Sequence, residues 1–350
     1  MTLRVGLTYN LRRKVDNKNL PEDFYVEFDE ESTINTIASA LKKGGCKVMK
    51  IEANEEAYLK LRKYKPDIVF NIAEGLHGES RESHMPVILE MLGIPYTGSS
   101  PSTLAICLNK ALTHKVLSAY GIPSPRFQVF KSANEKLSSE LSFPLVVKPL
   151  FEGSSKGIRS SSLVMDEEGL RKQVSWVIKT YNQPAIVEEF MSGREFTVGL
   201  IGNEEPFVLP IIEICLEKLP NGASPIYSYE AKWVWDTPEK PLDIFKCPAE
   251  IPLDLEEKIR EIAIKTFEVL DCRDLCRVDI RLDSGGTPKV LEVNPLPGLI
   301  PDPKAHSCLP EAARAAGFTY DELICTILWQ ALKRYGLQDR FEGRSLVKIL

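Results

Sequence analysis

The residues best suited to chemistry lie in one run, Arg277-Val-Asp-Ile-Arg-Leu-Asp-Ser-Gly-Gly-Thr-Pro-Lys-Val-Leu-Glu-Val-Asn-Pro-Leu-Pro-Gly298. Val278, Ile280 and Leu282 alternate with polar residues before Ser284-Gly285-Gly286-Thr287, and Leu291 and Val293 alternate after it, so the run reads as a β-hairpin. Looping out those four residues sets Asp283 against Pro288, Asp279 against Glu292 and Arg277 against Asn294. Opposed residues sit about 5 Å apart, where two carboxylates repel unless positive charge lies between them. Oxygen donors from Asp279, Glu292 and Asn294 suit Mg²⁺ or Mn²⁺, and Mg²⁺ leaves several positions to water and phosphate oxygens, which points to a nucleotide. The competing reading is a surface hairpin with solvated charges; three oxygen donors on one face, followed by Pro295 and a Pro297-Gly298 turn, favour the metal.

A second candidate lies upstream. Phe143 to Leu150 reads as a strand carrying Lys148, and Glu152-Gly-Ser-Ser-Lys-Gly157 follows it. Small residues let successive backbone N–H groups converge on an anion, and Lys148 and Lys156 add charge, which suits a loop covering phosphate. A mobile Gly-Ser turn is the plainer alternative.

These residues need a scaffold, and the rest of the chain predicts one. Residues 3–9 read as a buried strand, a helix runs from Ser32 to Gly44-Gly45, Cys46 to Ile51 is a strand, and Asn54 to Lys65 is a helix. Pro66 to Asn71 is another strand and Glu82 to Leu92 a helix. This alternation predicts an α/β domain with a parallel sheet over residues 1–100. Its first turn lacks a Gly-rich dinucleotide fingerprint. Thr97 to Ser102 reads as a linker, and a helix is predicted from Ser102 to Tyr120. Ala185 to Met191 and Glu195 to Leu200 are consecutive strands; helices are predicted over Leu253–Leu270 and Tyr320–Tyr335.

The 350 residues allow two or three domains, and a formal net charge of -5 gives no polybasic signature. That argues against nucleic acid or an anionic membrane as partner. The N-terminus turns polar too quickly for a signal peptide and no run of about 18 apolar residues occurs, so a cytoplasmic protein is expected. Eight scattered cysteines without Cys-x-x-Cys read as reduced core residues. His77, His84, His114 and His306 show no zinc-ligand spacing.

Taken together, Asn109-Lys110, Val147-Lys148-Pro149, Glu152 to Gly157, Val187-Glu-Glu-Phe190, Arg194-Glu-Phe-Thr197, Tyr229-Glu-Ala-Lys232, Arg277-Val-Asp279 and Glu292 to Gly298 resemble the D-alanine:D-alanine ligases of the ATP-grasp superfamily. The match runs in order from about residue 66 to 320. The resemblance implies a three-domain ATP-grasp fold, α/β (α+β) in class, with boundaries at 1–100, 101–192 and 193–350 and ATP between two sheets of the last two. By the resemblance, Lys110, Lys148, Lys232, Ser154 and Ser155 would meet the nucleotide, Glu188, Glu189 and Met191 the adenine edge, and Glu195 the ribose. Asp279, Glu292 and Asn294 would hold magnesium. Arg277 and the N–H of Gly298 would stabilise an oxyanion, His77 and Trp233 would lie at the substrate, and Ser307 would bind the acceptor's carboxylate. Partners would be small-molecule amino acids, in a homodimer formed through the first domain.

The chemistry implied is a carboxylate–amine ligation through an acyl phosphate, releasing ADP and phosphate. Four departures fall at the substrate end. The glycine pair and Glu-Val-Ser that hold the donor's ammonium are replaced by Thr8-Tyr-Asn-Leu-Arg12, with Glu27-Phe-Asp-Glu-Glu-Ser32 downstream. Trp233 stands where a tyrosine is usual. The loop Asn71 to Ser80 lacks the full acidic glycine run, and Leu299 to Ala305 carries extra residues. D-alanine dimerisation and ligation of another amino acid to another acceptor, such as a secondary-metabolite intermediate, both remain open; a kinase is a third reading, against which Arg277 and Gly298 argue.

Overall fold

The computed structural model describes residues 2–15, 20–237, 240–305 and 307–348. The chain begins with β1 (Arg4–Tyr9), α1 (Glu31–Lys43), β2 (Lys47–Glu52), α2 (Ala57–Tyr64), β3 (Ile68–Ile72) and α3 (His84–Leu92). β1 lies between β2 and β3 and runs parallel to both, which gives the expected parallel sheet. Its Val5 and Leu7 are fully buried, as a strand covered by helices requires.

Two short helices follow, α4 (Pro101–Leu108) and α5 (Lys110–Ala119), where the sequence predicts one helix from Ser102 to Tyr120. Asn109 separates them. It takes an extended conformation, and its side chain accepts from the N–H of Leu112 at 3.1 Å as an N-cap. The break makes Lys110 the first residue of α5. Nor is Thr97–Ser102 a loose linker: Gly98 N donates to Asp274 at 2.8 Å, and Ser99 Oγ accepts from Arg273 N at 3.0 Å.

The next sheet comprises β4 (Phe127–Phe130), β5 (Leu145–Pro149), β6 (Leu163–Val164) and β7 (Ala185–Glu189), antiparallel in the order β4-β7-β5-β6, with α6 (Glu167–Tyr181) against one face. Leu145 and Val147 pack with Leu170, Val174 and Val177 of α6. The two-residue period of the strand then turns Val146 and Lys148 to the other face, which borders the cleft.

The largest sheet holds β8 (Glu195–Gly202), β9 (Phe207–Val208), β10 (Ile212–Ile214), β11 (Phe245–Lys246), β12 (Asp274–Leu282) and β13 (Pro288–Asn294). Its order is β11-β10-β8-β12-β13, with β9 pairing β8. α7 (Leu253–Val269) buries Ile259, Ala263 and Phe267 against Phe196, Val198, Val278 and Ile280, so the alternate residues Glu195, Thr197 and Asp279 lie on the opposite face. The ladder sets Arg277 against Asn294 and Asp279 against Glu292, as the hairpin reading requires. Nearer the turn the pairing differs: Leu282, not Asp283, meets Pro288, and a bulge at Leu291 restores the register. β7 and β8 follow one another in sequence but belong to different sheets.

α8 (Cys308–Ala315) and α9 (Tyr320–Arg334) close the chain, and Ile324 and Leu328 share one core with Ile34, Ile37 and Leu41 of α1. All eight cysteines are free and most are buried, matching the expectation of reduced core residues. Among the described residues no helix is long and apolar enough to cross a membrane. Arg334 ties the ends together, donating to Asp274 at 2.7 Å and to the carbonyl of Tyr96 at 2.9 Å. Asp274 has no exposed side-chain surface, so Arg334→Met is expected to lower stability by about 3 kcal/mol, read by urea denaturation.

Candidate active site

β12 and β13 carry the charged face to the seam between two adjoining hollows of about 1060 and 900 Å³, both lined by Ser154, Tyr227, Lys232, Arg277, Glu292 and Cys308. The smaller is also lined by Lys148, Ser155, Glu188, Glu189, Met191, Glu195 and Asp279. The larger is lined by Lys110, Trp233, Asn294, Gly298 and Ser307. Every residue expected at the site thus meets one continuous cleft, except His77. Its ring is exposed near Phe24 and borders a separate hollow, because the loop carrying it turns outward after Gly75. His306 lies outside the described residues.

In the smaller hollow each carboxylate has its own cation. Lys148 reaches Glu188 at 2.6 Å, and His114 Nε2 lies 3.0 Å from the same carboxylate. Burial opposes ionisation of Glu188, but the Lys148 charge and the His114 contact outweigh it and hold its pKa down to about 2. Arg281 pairs with Glu195 at 3.1 Å, and Lys289 with Glu189 at 3.1 Å.

The facing acids of the hairpin are handled in the same way, and here the structure corrects the sequence argument. A metal is not the sole relief of their repulsion. Arg277 grips both oxygens of Asp279 at 2.9 Å, Thr197 donates to it at 2.6 Å, and Asn294 Nδ2 donates at 3.0 Å. Lys110, at the start of α5, meets Glu292 at 2.7 Å. Burial disfavours the Asp279 carboxylate, yet the Arg277 guanidinium prevails and keeps its pKa below the usual range. Lys232 is different. Burial and the neighbouring Arg277 lower its pKa, and no carboxylate among the described residues lies within ion-pair distance of it.

The loop after β5 is tightly held. Ser154 and Ser155 both adopt positive φ, 50° and 60°, and Gly157 has φ +73° with room for no Cβ, which would meet Pro149 at 2.3 Å. Ser155 Oγ donates to Tyr227 O at 2.9 Å, and Trp233 Nε1 donates to Ser154 O at 3.0 Å. Trp233 therefore serves the loop, with its ring 4.9 Å from the Arg12 guanidinium. It sits in a single π-helical turn, Glu230–Trp235, which also carries Lys232. Ser307 Oγ donates to Gly298 O at 3.0 Å and accepts from Ile300 N at 3.3 Å, fixing the turn after β13.

A family model described as D-ala D-ala ligase C-terminus matches residues 116–329. The D-alanine–D-alanine ligase of Pelotomaculum thermopropionicum is 32% identical over 350 residues, covering 97% of this chain and 100% of that protein. That of Moorella thermoacetica is 33% identical, covering 85% and 93%. The chain belongs to the D-alanine–D-alanine ligase family. An uncharacterized protein of Sinorhizobium fredii is 37% identical over 86% of this chain and 88% of its own length. Among solved structures, the fold is that of D-alanine–D-alanine ligase from Bacillus anthracis complexed with ATP, with TM-score 0.71 at 24% identity over 96% and 99% of the two chains. It is also that of the VanG D-Ala:D-Ser ligase from Enterococcus faecalis, with TM-score 0.68 at 21% identity over 95% and 100%.

In this ligase Glu27 lies against the loop after β5, and the sequence did not single out its partner. Arg81 donates to both Glu27 oxygens at 2.9 and 2.8 Å and to Phe151 O at 2.6 Å, while Gly153 N donates to Glu27 at 2.8 Å. Asp23 accepts from Gly157 N at 3.0 Å and Tyr181 at 2.8 Å. An arginine in a polar loop reads as a surface cation from sequence alone, so Arg81 gave no signal. Replacing Trp233 by Phe removes one donor from the loop; the expected outcome is a roughly fivefold rise in KM for ATP, measured by steady-state ADP release, with a smaller change in KM for amino acids.

Proposed function

We propose that the protein activates the carboxylate of one small amino acid with ATP and joins it to the amine of a second, with D-alanyl-D-alanine as the reference product. The observation that carries this reading is the placement of Glu292 and Arg277 on the wall shared by the two hollows, with Asp279 lining the smaller beside Lys148, Glu188 and Glu195. D-alanine is the amino acid in the names of the relatives. We take the three units as residues 1–100, 101–192 and 193–350, and a homodimer through the first, where Leu59, Val87 and Met91 are exposed.

Asp279, Glu292 and Asn294 fit a divalent metal by their chemistry: hard oxygen donors on one face, with Asp279 kept ionised. Mg²⁺ takes one or two protein carboxylates and leaves its remaining positions to phosphate and water. When bound, ATP with its metal supplies the phosphoryl group that turns a carboxylate oxygen into a leaving group. Lys110 and Lys148, each already against a carboxylate, are placed to exchange that partner for phosphate oxygens. Lys232, low in pKa and without an ion-pair partner, is placed beside developing negative charge. Arg277, buried and permanently charged, faces both hollows and supports an oxyanion formed when the amine attacks, together with the N–H of Gly298. The low-dielectric walls strengthen each of these interactions. Phosphate transfer alone requires neither Arg277 nor Gly298 beyond the loop, which disfavours a kinase.

The test is ADP release in the presence of Mg²⁺ with single amino acids and with pairs, the product identified by mass spectrometry. Release that needs no amine rules the ligase reading out. Glu292→Gln, which removes one metal ligand and leaves Lys110 its backbone contact to Glu152, is expected to keep the fold and lose at least about 100-fold in turnover. Asp279→Asn is the poorer probe, since it strips a buried Arg277 of its counter-charge and is expected to destabilise the protein by about 3 kcal/mol in thermal or urea unfolding.

A further inference from the structure

The larger hollow is unevenly charged. Toward the hairpin its acids are matched by cations, as described. Asp29, Glu74 and Glu82 also line the cavity, and no side-chain carboxylate of the three makes a hydrogen bond or ion pair with a described residue. Glu82 is 9% exposed, so an unpartnered carboxylate nine-tenths buried borders the cleft. The cations nearby are engaged elsewhere. Arg81 is held by Glu27 and Glu152, and Arg12 donates to the carbonyls of Val26 and Phe28. Glu27 has its oxygens filled by Arg81 and Gly153.

With no cation in contact, these carboxylates are pushed toward the protonated form. Burial, then repulsion from Glu82 and Glu27, pushes Glu74 well above the ordinary carboxylate range. Burial lifts Glu82 up to about 7, against the pull of Arg81, and Asp29 up to about 7, against that of Arg12. Acids lining a cavity without a contacting partner, Glu82 the most buried of them, are destabilising, and a bound ligand that supplies positive charge relieves that cost. One ammonium answers one carboxylate, or two at most.

We propose that the larger hollow takes a diamino acid: an amino acid skeleton carrying a second amine, its two ammonium groups shared among Glu82, Glu74 and Asp29, its carboxylate toward Arg277 and Lys232. The proposal rests on the ligase reading and narrows its substrate class. 2,3-Diaminopropionate, which is alanine with an amine on its methyl carbon, is the smallest such substrate.

The experiment compares ADP release by the full chain, with ATP and Mg²⁺, for D-alanine and for both enantiomers of 2,3-diaminopropionate, 2,4-diaminobutyrate, ornithine and lysine. The expected result is a kcat/KM for one diamino acid about 10- to 100-fold above that for D-alanine, with that ratio collapsing in Glu74→Gln and in Glu82→Gln. Both variants replace an unpaired buried acid by a neutral isostere, so their ligand-free Tm is expected to equal or exceed that of the parent, whereas loss of a structural ion pair would lower it. A thermal shift with each amino acid gives an independent reading. D-alanine used as well as, or better than, every diamino acid overturns the proposal and leaves the ligase reading standing. No ADP release with any amino acid or pair overturns the ligase reading itself, and the proposal with it.

Discussion

Buried charge, matched residue by residue, is the constraint on which the site depends. Glu188 with Lys148, Glu195 with Arg281, Asp279 with Arg277 and Glu292 with Lys110 all lie in or beside the smaller hollow. An ion removed from water tolerates burial only with a partner and a full set of hydrogen bonds. These pairs therefore fix the facing surfaces of two sheets and hold lysines, poised for exchange, where an anionic ligand is to lie. The geometry is preorganised before any phosphate arrives, which is the condition under which electrostatic stabilisation is strongest.

The same rule explains the loop between β5 and β6. Two serines in the left-handed region cost roughly 1–2 kcal/mol each, and the curl persists because Tyr227, Trp233, Glu27 and Asp23 hold it from outside. A segment near the start of the chain and a π-helical turn more than two hundred residues later grip one short stretch of backbone. The loop thereby forms part of the wall shared by the two hollows, with Trp233 donating to it from the larger.

Against this balance the far end of the cleft stands out. Burial pushes the pKa of Asp29, Glu74 and Glu82 up, and the nearby Arg12, Arg81 and Lys110 do not offset it. The contrast is within one molecule and one cleft, so it reflects a difference in what each end is built to hold. Departures from the family at Thr8–Arg12 and Asn71–Ser80 fall beside this end, and the hairpin, the Lys148 strand and the Val187–Phe190 strand are untouched.

The sequence alone determined the elements and the charged face. A strand's alternation is a local property, so the facing of Asp279 with Glu292 and of Arg277 with Asn294 followed from counting, and so did the side of β5 that bears Lys148. Helices with a strong apolar stripe were also legible, and the motifs carried the family. Tertiary structure decided the rest. It divided one expected helix at Asn109, and so brought Lys110 to Glu292. It paired Arg81 with Glu27, residues 54 positions apart. It turned His77 outward, gave Trp233 to the loop, and left Asp29, Glu74 and Glu82 without counter-ions. Periodicity reports which face of an element a side chain occupies; which charge from a distant element meets it depends on how the elements pack, and no local pattern encodes that.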